Sequence, residues 1–158
     1  MRMYINGSWV DKPATMPVLN PFDQSVIDTV PKANVADVDM AIASAVRGAE
    51  AMRKLTAYDR YSILRKTADL LAERSEDLAR TITMEEGKVI AEGRTEVQRA
   101  IQTITVSSEE AKRLHGETVP LDAAPGNINQ FGFTIRVPVG VVAAIAPFNF
   151  PLNLAAHK

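Results

Sequence analysis

Between Pro138 and Pro147 the chain reads VGVVAAIA, a run with no charged or hydrogen-bonding side chain and rich in β-branched residues. A half-buried strand alternates apolar and polar residues. An unbroken apolar run of this length is instead the pattern of a strand covered on both faces in a parallel sheet. Parallel neighbours are joined only through long crossovers, usually helices. No strand pattern follows Ala146, so this strand is expected in a sheet whose other members the chain does not provide.

The segments upstream are well punctuated. YINGSWV (Tyr4 to Val10) places Asn6-Gly7 between apolar runs, the signal of a tight type I′ hairpin. VLNPF leads to a short strand at SVIDTVP, ended by Pro31. Asn34 is placed to cap a helix with Asp37 in its first turn, and Val38, Ile42, Ala45, Ala49 and Met52 form one apolar stripe along it. Thr56 and Asp59 have capping-box spacing and open a second helix, with the stripe Tyr61, Leu64, Ala68, Leu71, Leu78 and Ile82. Gly87 punctuates. A third helix carries Ile90, Val97, Ile101, Ile104 and Ala111 and is expected to end near His115-Gly116. Beyond a Pro125-Gly126-Asn127 turn, Phe131, Phe133, Ile135 and Val137 alternate with Gly132, Thr134 and Arg136, predicting a half-buried strand. The order is small β elements, three helices, a hairpin and one core strand, an α/β pattern.

Composition narrows the function. The 158 residues carry 18 basic and 19 acidic side chains, a net charge of -1, with no block of one sign. Neither a nucleic-acid partner nor an anionic membrane surface is expected. The absence of cysteine rules out a disulfide framework, a thiolate metal site and a cysteine nucleophile within this chain. His115 and His157 have no ligand partners at metal spacing, so no metal role is assigned to them. Val137 to Ala156 is charge-free and about as long as a membrane span, but Pro138, Gly140, Pro147 and Pro151 interrupt it and Asn149 and Asn153 lie inside. A strand, a turn and a helix start account for it better than a membrane span. The opening MRMYINGSWVDK lacks the apolar core of a signal peptide, leaving the cytoplasm as the default compartment.

Within that charge-free stretch Asn149 stands between two phenylalanines. A buried amide needs partners. One role open to it is to cap the helix beginning at Pro151; the other is chemical, and spacing alone leaves both open.

RVPVGVVAAIAPFNFPLNLAAHK, from Arg136 to Lys158, resembles the NAD(P)-dependent aldehyde dehydrogenase superfamily. Its signature there is a Pro-x-Gly-Val-Val strand leading to Pro-(Trp/Phe)-Asn-Phe-Pro-Leu and then a lysine. YINGSWV, NPF at Asn20 to Phe22, EEGK at Glu85 to Lys88, TEV at Thr95 to Val97 and GETVP at Gly116 to Pro120 follow in the family's order. The resemblance covers essentially the whole chain, and its wording is nearest the lactaldehyde and phosphonate-linked aldehyde branch. It implies the N-terminal part of a three-part subunit with an incomplete Rossmann-like sheet. Residues 1–116 would begin the cofactor-binding domain. Residues 117–137 would form an oligomerisation-type hairpin, and residues 138–158 the first core strand and the start of the next helix.

The resemblance also implies a chemistry. In this family a cysteine thiolate attacks an aldehyde to give a thiohemiacetal oxyanion. Hydride passes to the nicotinamide, and water activated by a glutamate releases the acid. Asn149 matches the asparagine whose side-chain amide donates to that oxyanion. Lys158 matches a lysine proposed to relay protons to the general base; a surface lysine is the plainer reading. Ala146, Pro147 and Phe148 would border the cofactor, partly through backbone contacts. Phe150 would line the aldehyde tunnel, and residues around Ile101 to Thr105 would face it. Glu96 reads as structural. Arg136 would pair across its hairpin or stay solvated.

The family's adenosine-binding Lys-Pro segment, its glycine-containing cofactor loop, the glutamate base and the cysteine fall outside these residues. The chain is therefore expected to be a fragment, from truncation, gene disruption or proteolysis. It is expected to be inactive alone and to hold neither NAD nor NADP tightly. The whole enzyme would act on a small-molecule aldehyde as a homo-oligomer. An alternative is a non-catalytic module that associates through its hairpin, and an unrelated helical scaffold is the remaining reading.

Overall fold

A computed structural model describes residues 1–158, and its organising element is helix α4 (Ile90–Ala111). One side of α4 presents Gly93, Val97, Ala100, Ile104, Ser108 and Ala111, all buried and spaced by three or four residues. Helices α2 (Ala57–Glu73), α3 (Ser75–Glu86) and the short α5 (Pro151–His157) all pack on it. Ala79 and Ile82 of α3 meet Val97 in the small apolar core, flanked by Leu78, Ile90, Ile101 and Leu152.

Local sequence sets most of the elements. β1 (Met3–Ile5) and β2 (Ser8–Val10) form the expected antiparallel hairpin, with Asn6 and Gly7 at φ 53° and 77°. β3 (Thr15–Leu19) pairs with β4 (Val26–Pro31), which ends at Pro31 as expected. Helix α1 (Val35–Arg53) opens with a reciprocal capping box between Asn34 and Asp37, and α2 with one between Thr56 and Asp59. Gly87 terminates α3 in the left-handed region, at φ 73°. The result is α/β with incomplete sheets: three separate two-stranded ladders and no parallel pair. No helix is long and apolar enough to cross a membrane.

Four local expectations change. The second helix is two, because the backbone at Arg74 leaves the helical region at φ -106°, ψ 16° and serves α2 and α3 as a shared cap. The expected stripe runs across this break. Helix α4 ends at Ala111, before His115-Gly116. A Cβ on Gly116 would fall 1.6 Å from the Thr134 carbonyl oxygen, so glycine there answers a close approach of two chain segments, not a helix end.

The half-buried strand of residues 131–137 is reduced to β6 (Gly132–Phe133), paired with β5 (Thr118–Val119). Phe131, Phe133, Ile135 and Val137 are exposed, since no layer covers that face. VGVVAAIA likewise carries no ladder and is exposed along its length, with Ile145 at 84%. A parallel strand is defined by its neighbours, and none is present to bond its amides and carbonyls. Arg136 makes no ion pair, and the stripe of α1 is largely uncovered, with Val38, Ile42 and Met52 about half exposed.

Candidate functional site

The loop from α3 to α4 and the segment entering α5 together enclose a hollow of about 610 Å³. Its lining brings Ala146, Pro147, Phe148 and Asn149 together with Pro151 and with Glu85, Glu86, Gly87, Lys88 and Glu92. The family-signature residues thus share one site with the EEGK stretch, although some sixty residues separate them in sequence.

Two side chains that spacing did not mark as part of the site connect its halves. Glu96, in the middle of α4, is fully buried. Its Oε1 accepts from the backbone N–H groups of Leu152 (3.0 Å) and Asn153 (3.2 Å), and its Oε2 accepts from Lys88 Nζ at 2.6 Å. Lys88 Nζ also donates to the Asn149 carbonyl at 2.7 Å and lies 3.0 Å from Glu86. The same ammonium sits 4.4 Å from the centre of the Phe150 ring, which Arg99 approaches at 5.4 Å. Burial alone would disfavour the charge on Lys88; its hydrogen bond to Glu96 and the adjacent Glu86 carboxylate outweigh that and raise its pKa above the ordinary lysine value. EEGK and TEV were visible as motifs, but their contact with residues 149–153 depends on how α3, α4 and α5 pack.

The structure decides what Asn149 does locally. It does not cap α5: the cap position is Phe150, which makes no side-chain cap bond, and Glu96 meets the first amides instead. Nor is Asn149 buried. Its side chain is exposed on the hollow and forms no hydrogen bond within the chain, so its amide is available to an oxygen brought there. The buried amide of this segment is Asn153, whose Oδ1 accepts from Thr103 Oγ1 at 3.0 Å.

The other candidates are placed less centrally. Phe148 is 97% exposed at the hollow's edge. Phe150 is half-buried between its two cations and does not line the hollow. Lys158 lies away from the hollow and donates to Leu154 O, one turn back in α5, at 3.3 Å. Thr103 borders a separate polar groove with Arg99, Gln102, Ser107, Asn153 and His157. No group of three or more histidine, aspartate or glutamate side chains is placed to hold a metal ion.

The hollow does not fit the phosphates of a dinucleotide. Its charged lining is three carboxylates, Glu85, Glu86 and Glu92, and one ammonium, and Glu86 and Glu96 already neutralise Lys88. A pyrophosphate there would meet net negative charge. What the lining offers is apolar surface, backbone and the Asn149 amide.

Comparison with known proteins places this arrangement among relatives. The model of the aldehyde dehydrogenase family matches residues 9–158. The chain is 47% identical over 157 residues to a 3-sulfolactaldehyde dehydrogenase of Priestia aryabhattai, covering 99% of this chain and 32% of that protein. It is 38% identical over 156 residues to a lactaldehyde dehydrogenase of Methanocaldococcus jannaschii, covering 99% of this chain and 32% of that one. The crystal structure of aldehyde dehydrogenase 21 from Physcomitrella patens, in complex with the reaction product succinate, superposes with a TM-score of 0.94 at 40% identity, over 99% of this chain and 33% of that one. An NADP-dependent glyceraldehyde-3-phosphate dehydrogenase from Bacillus halodurans C-125, complexed with NADP, gives 0.92 at 32% identity, over 98% and 33%. The chain thus spans about a third of the length of the relatives it matches.

Proposed function

Because the chain belongs to the aldehyde dehydrogenase family, we propose that residues 1–158 supply the oxyanion donor of an enzyme that oxidises a small aldehyde to a carboxylic acid. The observation that carries this reading is the exposed Asn149 amide on the hollow, with no partner of its own while its backbone is held by Lys88. When a nucleophile adds to an aldehyde carbonyl, negative charge develops on oxygen. A donor already aimed at that position stabilises the transition state more than the substrate. The chain has no cysteine, so the thiolate that adds to the aldehyde belongs to residues outside this span, as does the glutamate that activates water.

NAD or NADP would be the hydride acceptor of the whole enzyme, as in the NADP complex of the Bacillus halodurans relative. Its phosphates would be bound by residues outside this chain, since the hollow here repels them. Ala146, Pro147 and Phe148 are left to offer backbone and apolar surface at the edge. Residues 117–137 would serve as the oligomerisation-type hairpin and Phe150 would border the aldehyde tunnel. Lys158 would reach the proton relay only if the end of α5 is repositioned in the whole subunit.

The test is complementation. The 158-residue chain, mixed with the remaining two-thirds of the Priestia sulfolactaldehyde dehydrogenase, is assayed for NAD(P)-dependent aldehyde oxidation. Activity from the mixture and none from either part is expected. Asn149→Ala in the mixture is expected to lower kcat by about 10²–10³-fold, the usual cost of one oxyanion donor. Aldehyde oxidation by the 158-residue chain alone, or full turnover with Asn149→Ala, would overturn the proposal.

A further inference from the structure

Asn149 lies in the turn of residues 148–150, outside any ladder, and it stays outside one whether or not residues 139–146, which carry no ladder among these 158 residues, pair with strands from beyond them. The helix after it has seven residues and no cap of its own. A donor at such a junction has no fixed aim unless something else holds the backbone on both sides, and an error of about 1 Å in a reacting geometry can cost roughly 10²-fold in rate. Lys88 and Glu96 grip the junction at these two points. Lys88 Nζ donates to the Asn149 carbonyl at 2.7 Å, and Glu96 Oε1 accepts the amides of Leu152 and Asn153. Their own 2.6 Å ion pair ties the two grips to each other and to the buried face of α4.

The placement of charge is informative. Glu96 is among the largest fully buried side chains of the protein, and an ionised carboxylate is tolerated there only when paired and hydrogen-bonded. All of its hydrogen bonds go to Lys88 and to the start of α5. A pair serving stability alone could sit anywhere along α4; this one is aimed at residues 149–153.

We propose that Lys88 and Glu96 are positioning residues for the Asn149 amide: they touch no substrate, and they fix the backbone on either side of Phe150 so that the amide faces the hollow in one orientation. The proposal rests on the reading of Asn149 as oxyanion donor, and its test separates the two.

In the complemented enzyme, Lys88→Met keeps the apolar stem and removes the donors. It is expected to lower kcat about 10- to 100-fold with KM within about twofold of wild type. Lys88→Met combined with Asn149→Ala is expected to be no slower than Asn149→Ala alone, because nothing remains to be positioned. If the double variant is slower by the full Lys88→Met factor, or if Lys88→Met alone is as fast as wild type while Asn149→Ala is slow, the positioning role falls and the reading of Asn149 stands. If Asn149→Ala is itself as fast as wild type, both fall.

Glu96→Gln keeps an acceptor for the two amides and loses the charge. It guards against misfolding and is read by amide hydrogen exchange in the 158-residue chain. The Leu152 and Asn153 amides are expected to exchange at least about tenfold faster than in wild type, with those of Ala100 and Ile104 in α4 unchanged. Unchanged rates at Leu152 and Asn153, or faster exchange throughout α4, would overturn the positioning role whatever the kinetics of Asn149→Ala.

Discussion

The ammonium of Lys88 meets Glu96, the Asn149 carbonyl and Glu86 within 3.0 Å while only 12% of its side chain is exposed. Its folded pKa lies above the ordinary value of 10.5. The charged form is therefore favoured by folding. That stabilisation is complete below 10.5 and is lost as pH rises through the higher folded value, so the junction at Asn149 is held throughout the neutral range.

Asp37 works in the opposite direction. It is buried, ion-paired with Lys12 and accepts the Asn34 amide at 2.9 Å. The hydrogen bond from Lys12 and then that from Asn34 hold its carboxyl below the ordinary 3.8. Its contribution is present above that value and lost as pH falls through the lower folded one. Asp37→Asn is expected to lower the melting temperature at neutral pH and to flatten its decline below about pH 4, measured by circular dichroism melts across pH 2–7.

The Asn34 cap and the Thr56–Asp59 box were legible in the sequence because a cap is local, and the structure adds that Asp37 closes a reciprocal box with Asn34. Lys88, Glu96 and Asn149 were legible only as separate motifs, because their bonds span 8, 61 and 57 positions.

Among the elements, α4 is both the scaffold and the source of the site's buried carboxylate. Val97 is fully buried against Ala79 and Ile82. Val97→Ala removes two methyl groups from that contact and is expected to cost about 2 kcal/mol, read from the urea midpoint. Ile145 is 84% exposed in the unpaired run, and Ile145→Ala is expected to stay within about 0.5 kcal/mol of wild type. From hydrophobicity alone the two substitutions look alike. The break at Arg74 follows the same logic: apolar spacing can be continuous across a point where the backbone turns, so the stripe marked the buried face of α2 and α3 without marking where one ends.

For the molecule as a whole, only 12 of 158 residues are buried, and all but Asp37 lie on α4 or on the helices packed against it. Large apolar side chains remain exposed from Phe131 to Phe148. Val139–Ile145 amides are expected to exchange within seconds in the chain by itself and to slow by orders of magnitude when it is mixed with the remaining two-thirds of the Priestia relative, measured by exchange mass spectrometry. Fast exchange in an active mixture would show that this run does not join a sheet.

The sequence by itself determined the caps, turns and helical stripes, together with the family signature around Asn149, because each is written in residues a few positions apart. Tertiary structure alone decided that Glu96 caps α5 in place of Asn149, that Lys88 bridges the two halves of the hollow, and that VGVVAAIA, expected without partner strands, is exposed and not covered on both faces. Long-range hydrogen bonds and the strand state both require a partner brought from elsewhere in the chain, and no local pattern states which partner is present.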